Sequence, residues 1–177
     1  MYTRLVLLLL ALFVLTSVSL YRTGNYTISD TYVIAFDGSG AEGTFRGLTG
    51  EIVFDRDNLS AARMDVSVDA ATIETGNKTK DKHARGEAWF DVERYPKITY
   101  VATDFERMAE GYLANGVLTL HGVSKSKALP FTFTPDGTGG TFTGKMTVDR
   151  EAFGIEGPWL AFTVGDEFEV KLRVPVE

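Results

Sequence analysis

Thr75–Pro96 reads TGNKTKDKHARGEAWFDVERYP. It is the one long interval that breaks an otherwise repetitive pattern of strands and turns. Gly76-Asn77 supplies a turn and a capping residue, Lys78 to Arg85 contains helix formers without Gly or Pro, and Gly86 can stop the turn. Pro96 drives Tyr95 towards an extended conformation and opens the next strand. The stretch is therefore a short helical insertion in a chain that reads as β-sheet on both sides.

Alternation carries the rest. Before the insertion, Tyr32, Ile34 and Phe36 point one way while Thr31, Val33, Ala35 and Asp37 point the other. Phe45, Ile52 and Phe54 mark a second strand, interrupted by Gly47 and Gly50, which read as bulges or sharp bends. Met64, Val66 and Val68 alternate with charged and hydroxylic residues as in a half-buried strand.

After the insertion come Ile98, Tyr100 and Ala102, then Leu118 and Leu120. His121 to Lys125 reads as a connection to Leu129, Phe131 and Phe133, and Pro135 to Gly140 as another turn. Asn115-Gly116 is a turn dipeptide that could also lie within a strand. Phe142, Met146 and Val148 follow, and Phe168, Val170, Leu172 and Val174 make the last strand, which Pro175 is expected to end. About eight strands emerge at the spacing of an all-β sandwich or barrel. Alternation does not separate the two. An even strand count, glycines inside strands and bulky aromatics on the inner face favour an antiparallel barrel.

The same stretch carries a family resemblance. TGN, KDKHARG, WFD and YPKI, in that order, resemble the signature of the YceI-like family. GTFRGLTGEIVFD (Gly43 to Asp55), LTLHGVSK (Leu118 to Lys125), DREAFGI (Asp149 to Ile155) and VGDEFEV (Val164 to Val170) extend it over most of the chain. Members often carry two adjacent phenylalanines where this sequence has Trp89-Phe90. The resemblance implies an eight-stranded, lipocalin-like antiparallel β-barrel with a helix inserted near one end. It also implies lengthwise binding of a long isoprenoid or fatty-acyl chain. The Gly-x-Trp motif of true lipocalins is absent, so that likeness is architectural.

A barrel of this size either fills itself with side chains or holds one small ligand. The expected lining is Ile34 and Phe36, then Phe54, then Val66 and Val68, then Tyr100, Leu118 and Leu120. Phe131 and Phe133, Phe142 and Met146, and Phe168 and Val170 complete it. These rows read as apolar and free of charge, suited to a polyisoprenoid, an isoprenoid quinone or a fatty-acid derivative. The same rows also describe a filled barrel, acting as a cell-envelope interaction module through its outer surface. A lipid-directed enzyme is a third reading.

Polar chemistry is sparse. The two histidines, His83 and His121, and the lack of any cysteine leave too few ligands for a zinc site. No cofactor or metal is expected. Ser124 and His121 lack the strained Gly-x-Ser-x-Gly elbow of a nucleophile. Asp81, His83 and Arg85 read as a hydrogen-bonded cluster pinning the insertion to the barrel end, with contact to a ligand head group as the alternative. Trp89-Phe90 reads as a packing anchor or as a gate over the cavity mouth. Asp149-Arg150 reads as a rim ion pair, and Gly157-Pro158-Trp159 as a loop with an aromatic plug.

Residues 1–19 read as a signal peptide: Arg4 is a minimal basic region, Leu5 to Leu15 is apolar, and Ser17-Val18-Ser19 is a cleavage site. An uncleaved anchor is the alternative, short for a bilayer. Residues 20–177 would then form one domain. Export places the protein in the periplasm of a Gram-negative host, or otherwise outside the cell. The net charge of −6 argues against nucleic acid, which needs a concentrated basic surface. A homodimer and transient membrane contact are compatible with such a carrier.

Overall fold

The computed structural model describes residues 24–157 and 164–177. The expected signal peptide and the plug at Pro158-Trp159 lie outside the described residues. Nine antiparallel strands of the described residues form one sheet: β1 Asn25–Tyr26, β2 Val33–Gly38, β3 Ala41–Val53, β4 Arg63–Glu74, β5 Lys97–Arg107, β6 Tyr112–Leu120, β7 Val123–Asp136, β8 Gly139–Asp149 and β9 Glu167–Val176. Among the described residues the one α-helix, α1, spans Lys78–Arg85 between β4 and β5. β2 to β9 are neighbours in the order β3-β2-β9-β8-β7-β6-β5-β4, and β3 pairs back with β4, which closes an eight-stranded barrel. β1 is the extra strand, pairing only with the far end of β3.

The glycines inside β3 act as the sequence led one to expect. Gly47 and Gly50 have φ of 70° and 133°, and the β3–β4 register shifts between Thr44 and Arg46 and again between Arg46 and Thr49. The backbone freed there is bonded elsewhere. Thr72 Oγ1 accepts from Arg46 N at 2.8 Å, and the Tyr32 hydroxyl accepts from Leu48 N at 2.9 Å. Such bends let a twisted sheet turn tightly enough to close.

α1 forms where its caps dictate. The Asn77 side chain accepts from Thr79 N and Lys80 N, and Gly86 N donates to His83 O at the other end. The chain then folds back on the helix through Phe90 N to Ala84 O and Asp91 N to Gly86 O, both 3.0 Å. Asp91 takes φ 43°, and its carbonyl accepts from Tyr95 N at 2.8 Å. Trp89 and Phe90 are thereby turned towards the barrel.

Strand pairing outruns local turn signals at the 121–125 connection and at two prolines, and it decides the open reading of Asn115-Gly116. His121-Gly122 alone joins β6 to β7, both residues having positive φ (52° and 75°), so Val123 to Lys125 are already strand. Asn115-Gly116 lies inside β6. Pro135 and Pro175 are also strand residues, paired with Gly140 and Thr141. Pro175 does not end β9, because its carbonyl accepts from Ser29 N at 3.0 Å.

The two ends of the barrel differ. At the end opposite α1, Phe54 is 1 % exposed and packs its ring edge-on against Tyr112, Phe131, Phe133 and Phe142, with centroids 5.0–5.5 Å apart. Tyr26 covers this cluster from β1. These rings make a solid floor. The other end carries α1, the β2–β3 hairpin, the His121-Gly122 turn and the segment following β8.

Candidate functional site

Between the aromatic floor and α1 lies a cavity of about 700 Å³, within the range of about 300–1,000 Å³ that holds small ligands. Its walls come from alternate residues of the strands. β2 contributes Ile34 and Phe36, β4 Val66 and Val68, β5 Tyr100, and β6 Leu118 and Leu120. Met146 of β8 and Phe168 and Val170 of β9 continue the wall, and Phe131 and Phe142 form the cavity side of the floor.

Two expected lining residues are elsewhere. Phe54 and Phe133 are part of the floor cluster and do not face the cavity, because the inner row at that end meets its own opposite wall. Sequence alternation gives the side of the sheet a residue occupies but not its depth along the barrel. For the same reason it missed Phe45, Ile73, Ile98, Leu129 and Leu172, all cavity residues whose strands were recognised.

Tyr100 shows how the wall accommodates a polar atom. Its hydroxyl is 2.8 Å from Ala114 O and 3.0 Å from Lys127 O. Burial pushes its pKa up to about 12, so it remains a neutral donor. Its ring fills the place of a side chain at Gly116, where an added Cβ would lie 2.5 Å from Tyr100 Cζ.

The insertion supplies the mouth. His83, Ala84, Trp89 and Phe90 all border the cavity, as does Lys80. Phe90 packs edge-on against Phe45 at 5.6 Å. Asp81 and Arg85 do not reach the cavity. The Asp81 carboxylate is 8 % exposed and accepts from both the amide and the hydroxyl of Thr75 at 2.7 Å. These bonds, and secondarily the charge of Arg85, hold its pKa below the usual carboxylate value. Arg85 donates to Ala71 O and Ile73 O at 2.6 and 2.8 Å. Both therefore pin α1 to β4, but separately, while His83 takes no part in the pinning.

Arg150 corrects two readings: it is buried and pairs with Asp166 rather than with Asp149, and the cavity border is not free of ionisable groups. It is 7 % exposed. Nε donates to Gly165 O, Nη1 to Ile155 O and Glu156 O, and Nη2 to Val164 O and Asp166 Oδ1, at 2.6–3.3 Å. The planar fork of a guanidinium suits such a set. The residue gathers the chain on both sides of the 158–163 interval and borders the cavity beside Trp89. Sequence reasoning had the DREAFGI motif but no signal for its burial.

The remaining polar candidates do not converge. His121 Nδ1 lies 3.3 Å from Phe153 O, and its ring packs on Tyr95. Ser124 Oγ pairs with Thr119 Oγ1 at 2.8 Å on the exposed side. Among the described residues no three His, Asp or Glu side chains are grouped to hold a metal ion.

The comparisons agree with this architecture. Residues 23–176 match the model of the YceI-like domain. A UPF0312 protein of Pseudomonas savastanoi pv. phaseolicola is 31 % identical over 144 residues, covering 77 % of this chain and 75 % of the relative. A UPF0312 protein of Photorhabdus laumondii is 34 % identical over 83 residues, 47 % of this chain. That match spans less than half of the relative's length, 43 %. Among solved structures, Burkholderia cenocepacia BcnA superposes with a TM-score of 0.80 at 23 % identity, over 85 % of this chain and 99 % of that one. A Saccharophagus degradans domain, described as polyisoprenoid-binding and implicated in plant cell wall breakdown, gives 0.65 at 14 % identity, over 86 % and 97 %. On the extent of the domain match and the likeness to the Pseudomonas relative over about three quarters of each chain, this chain belongs to the YceI-like family.

Proposed function

We propose that this chain is an exported lipid-binding protein that sequesters or carries a long apolar chain inside its barrel: a polyisoprenoid, an isoprenoid quinone or a fatty-acid derivative. The observation that carries the reading is the apolar cavity, bounded by the Phe54 cluster at one end and opening beside α1 at the other. Each buried CH₂ contributes about 0.8 kcal/mol, and ordering the chain takes back part of this. An efficiency of about 0.3 kcal/mol per heavy atom still gives a ligand of roughly 20 to 40 atoms micromolar to nanomolar affinity. Kinship in fold with the polyisoprenoid-binding Saccharophagus domain supports the same class of cargo. No catalytic step is part of this function. The filled-barrel reading is disfavoured by the volume left between the walls.

The test is mass spectrometry of the protein purified without detergent from its native host. An organic extract is expected to contain a stoichiometric long-chain lipid, and the intact mass to correspond to a chain starting at Leu20. An empty extract, still empty after refolding with prenyl and acyl lipids in excess, would overturn the carrier reading. An intact mass retaining residues 1–19 would overturn cleavage.

A further inference from the structure

The cavity border is electrically one-sided in a chain that carries more acids than bases, 24 to 18. Its side chains with a full or titratable positive charge are Lys80, His83 and Arg150, and no Asp or Glu borders it among the described residues. Arg150 is committed: its N–H groups go to backbone carbonyls and to Asp166, with Glu151 Oε1 a further 3.6 Å away. Thr75 is likewise bound to Asp81, and Tyr100 to the strand backbone. Lys80 and His83 stand apart, because no ion pair engages either of them among the described residues. Spaced i, i+3 on α1, they share one face of the helix, and both reach the mouth. The nearest acid in sequence, Asp81, has its carboxylate turned to Thr75.

Resting on the lipid-carrier reading, we propose that Lys80 and His83 form a head-group site at the mouth, and that the cargo is an amphiphile with an acidic head, a carboxylate or phosphate on its long chain. A neutral head leaves the Lys80 ammonium without a charged partner and the His83 ring without a strong acceptor. An acidic head beside the low-dielectric cavity accepts charge-assisted hydrogen bonds from both while its chain runs towards the Phe54 floor.

Hexadecanol, palmitate and hexadecyl phosphate share one chain and differ only in the head. Binding of each is read from the fluorescence of Trp89 at the mouth in a Trp159→Phe background, with equilibrium dialysis of the unaltered chain as an independent measure. The two acids are expected to bind about tenfold or more tighter than the alcohol. The double variant Lys80→Gln/His83→Gln should remove that preference, bringing both acids down to the affinity of the alcohol measured on the same variant, with the melting temperature unchanged. Lys82→Gln, on the same helix but away from the cavity, should leave the preference intact. Equal affinity for alcohol and acids, or a preference that survives the double variant, would overturn the head-group site and leave the carrier intact. Failure of all three amphiphiles to bind would overturn the carrier reading itself. Inorganic phosphate that binds alone and displaces no chain would identify an ion site without an amphiphile.

Discussion

The guanidinium of Arg150 lies 5.6 Å from the centre of the Trp89 ring, joining the segment after β8 to the segment after α1 across the cavity mouth. The contact favours a cation over an aromatic face, but the hydrogen bonds of Arg150 to surrounding carbonyls are the larger commitment. Arg150→Met keeps the stem and removes the charged fork, leaving those carbonyls and Asp166 without their donor. It is expected to cost about 3 kcal/mol or more in urea denaturation, since several carbonyls lose a charged donor at about 1–3 kcal/mol each. A change below 1 kcal/mol would show that Arg150 does not organise this end.

Tyr100 and Gly116 form a second coupled pair. Gly116→Ala places a Cβ into the Tyr100 ring and should cost about 1–3 kcal/mol. Tyr100→Phe should cost about 1–2 kcal/mol through the lost hydroxyl bonds, and it cannot relieve Gly116→Ala, since the clash is with ring carbon Cζ as well as oxygen. Tyr100→Leu should relieve the ring contact alone, because the same Cβ lies 2.7 Å from Val101 O, which neither substitution moves. A double-mutant cycle by chemical denaturation measures the difference: partial coupling with Leu, little with Phe.

Asp81 makes stability depend on acid pH with a definite sign. Its folded-state pKa is depressed by the two Thr75 bonds, so it contributes stability above the unfolded-state pKa, and that contribution is lost as pH falls through the lower folded value. Wild type should therefore melt higher than Asp81→Asn at neutral pH, and the gap should narrow below the ordinary carboxylate range. Melting curves of both proteins from pH 7 down to about 2 test this, and a gap independent of pH would remove Asp81 from the account.

These three sites divide what sequence discloses from what it conceals. The limits of α1 were legible because Asn77 and Gly86 act within one turn of themselves. The cavity rows were legible because side-chain direction in a strand is a local, two-residue property. Depth is not local: Phe54 and Phe133 share the inward direction of Phe36 and Phe168 but sit in the floor, as the twist and stagger of eight strands dictate. Nor is burial of a charge local. Arg150 follows Asp149 as a rim pair would, and only the return of residues 164–166 encloses it.

The floor gives a separable test of stability and binding. Phe54→Ala removes the ring on which the aromatic cluster converges and should cost about 3–5 kcal/mol. Met146→Trp instead adds bulk where the cavity has room, and should lower lipid uptake with little change in denaturation midpoint. Urea titration and lipid loading of both variants decide it. If Met146→Trp destabilised as much as Phe54→Ala, the wall at Met146 would be packed core.

The barrel wall is not uniformly sealed. β7 pairs with β8 only from Phe131↔Gly144 to Asp136↔Gly139, although β7 begins at Val123 and β8 continues to Asp149, each still paired on its other side. Across the unpaired interval Lys127 Nζ donates to Thr147 O at 2.8 Å, a side chain standing where a ladder bond would be. Leu129 and Met146, on the two sides of this interval, both line the cavity. Backbone groups on facing edges without a ladder exchange with solvent more readily than paired ones. Hydrogen exchange is therefore expected to be fast at those amides of Val123–Ala128 that face β8 rather than β6, and at the facing amides of β8, and slow in Phe131–Asp136. Lys127→Met should speed exchange at Thr147 and Val148 without affecting β4. A bound lipid, packing against Leu129 and Met146, should slow the same amides. Uniform protection along β7 would show that the wall is closed in solution and that a chain reaches the cavity only past Trp89 and Phe90.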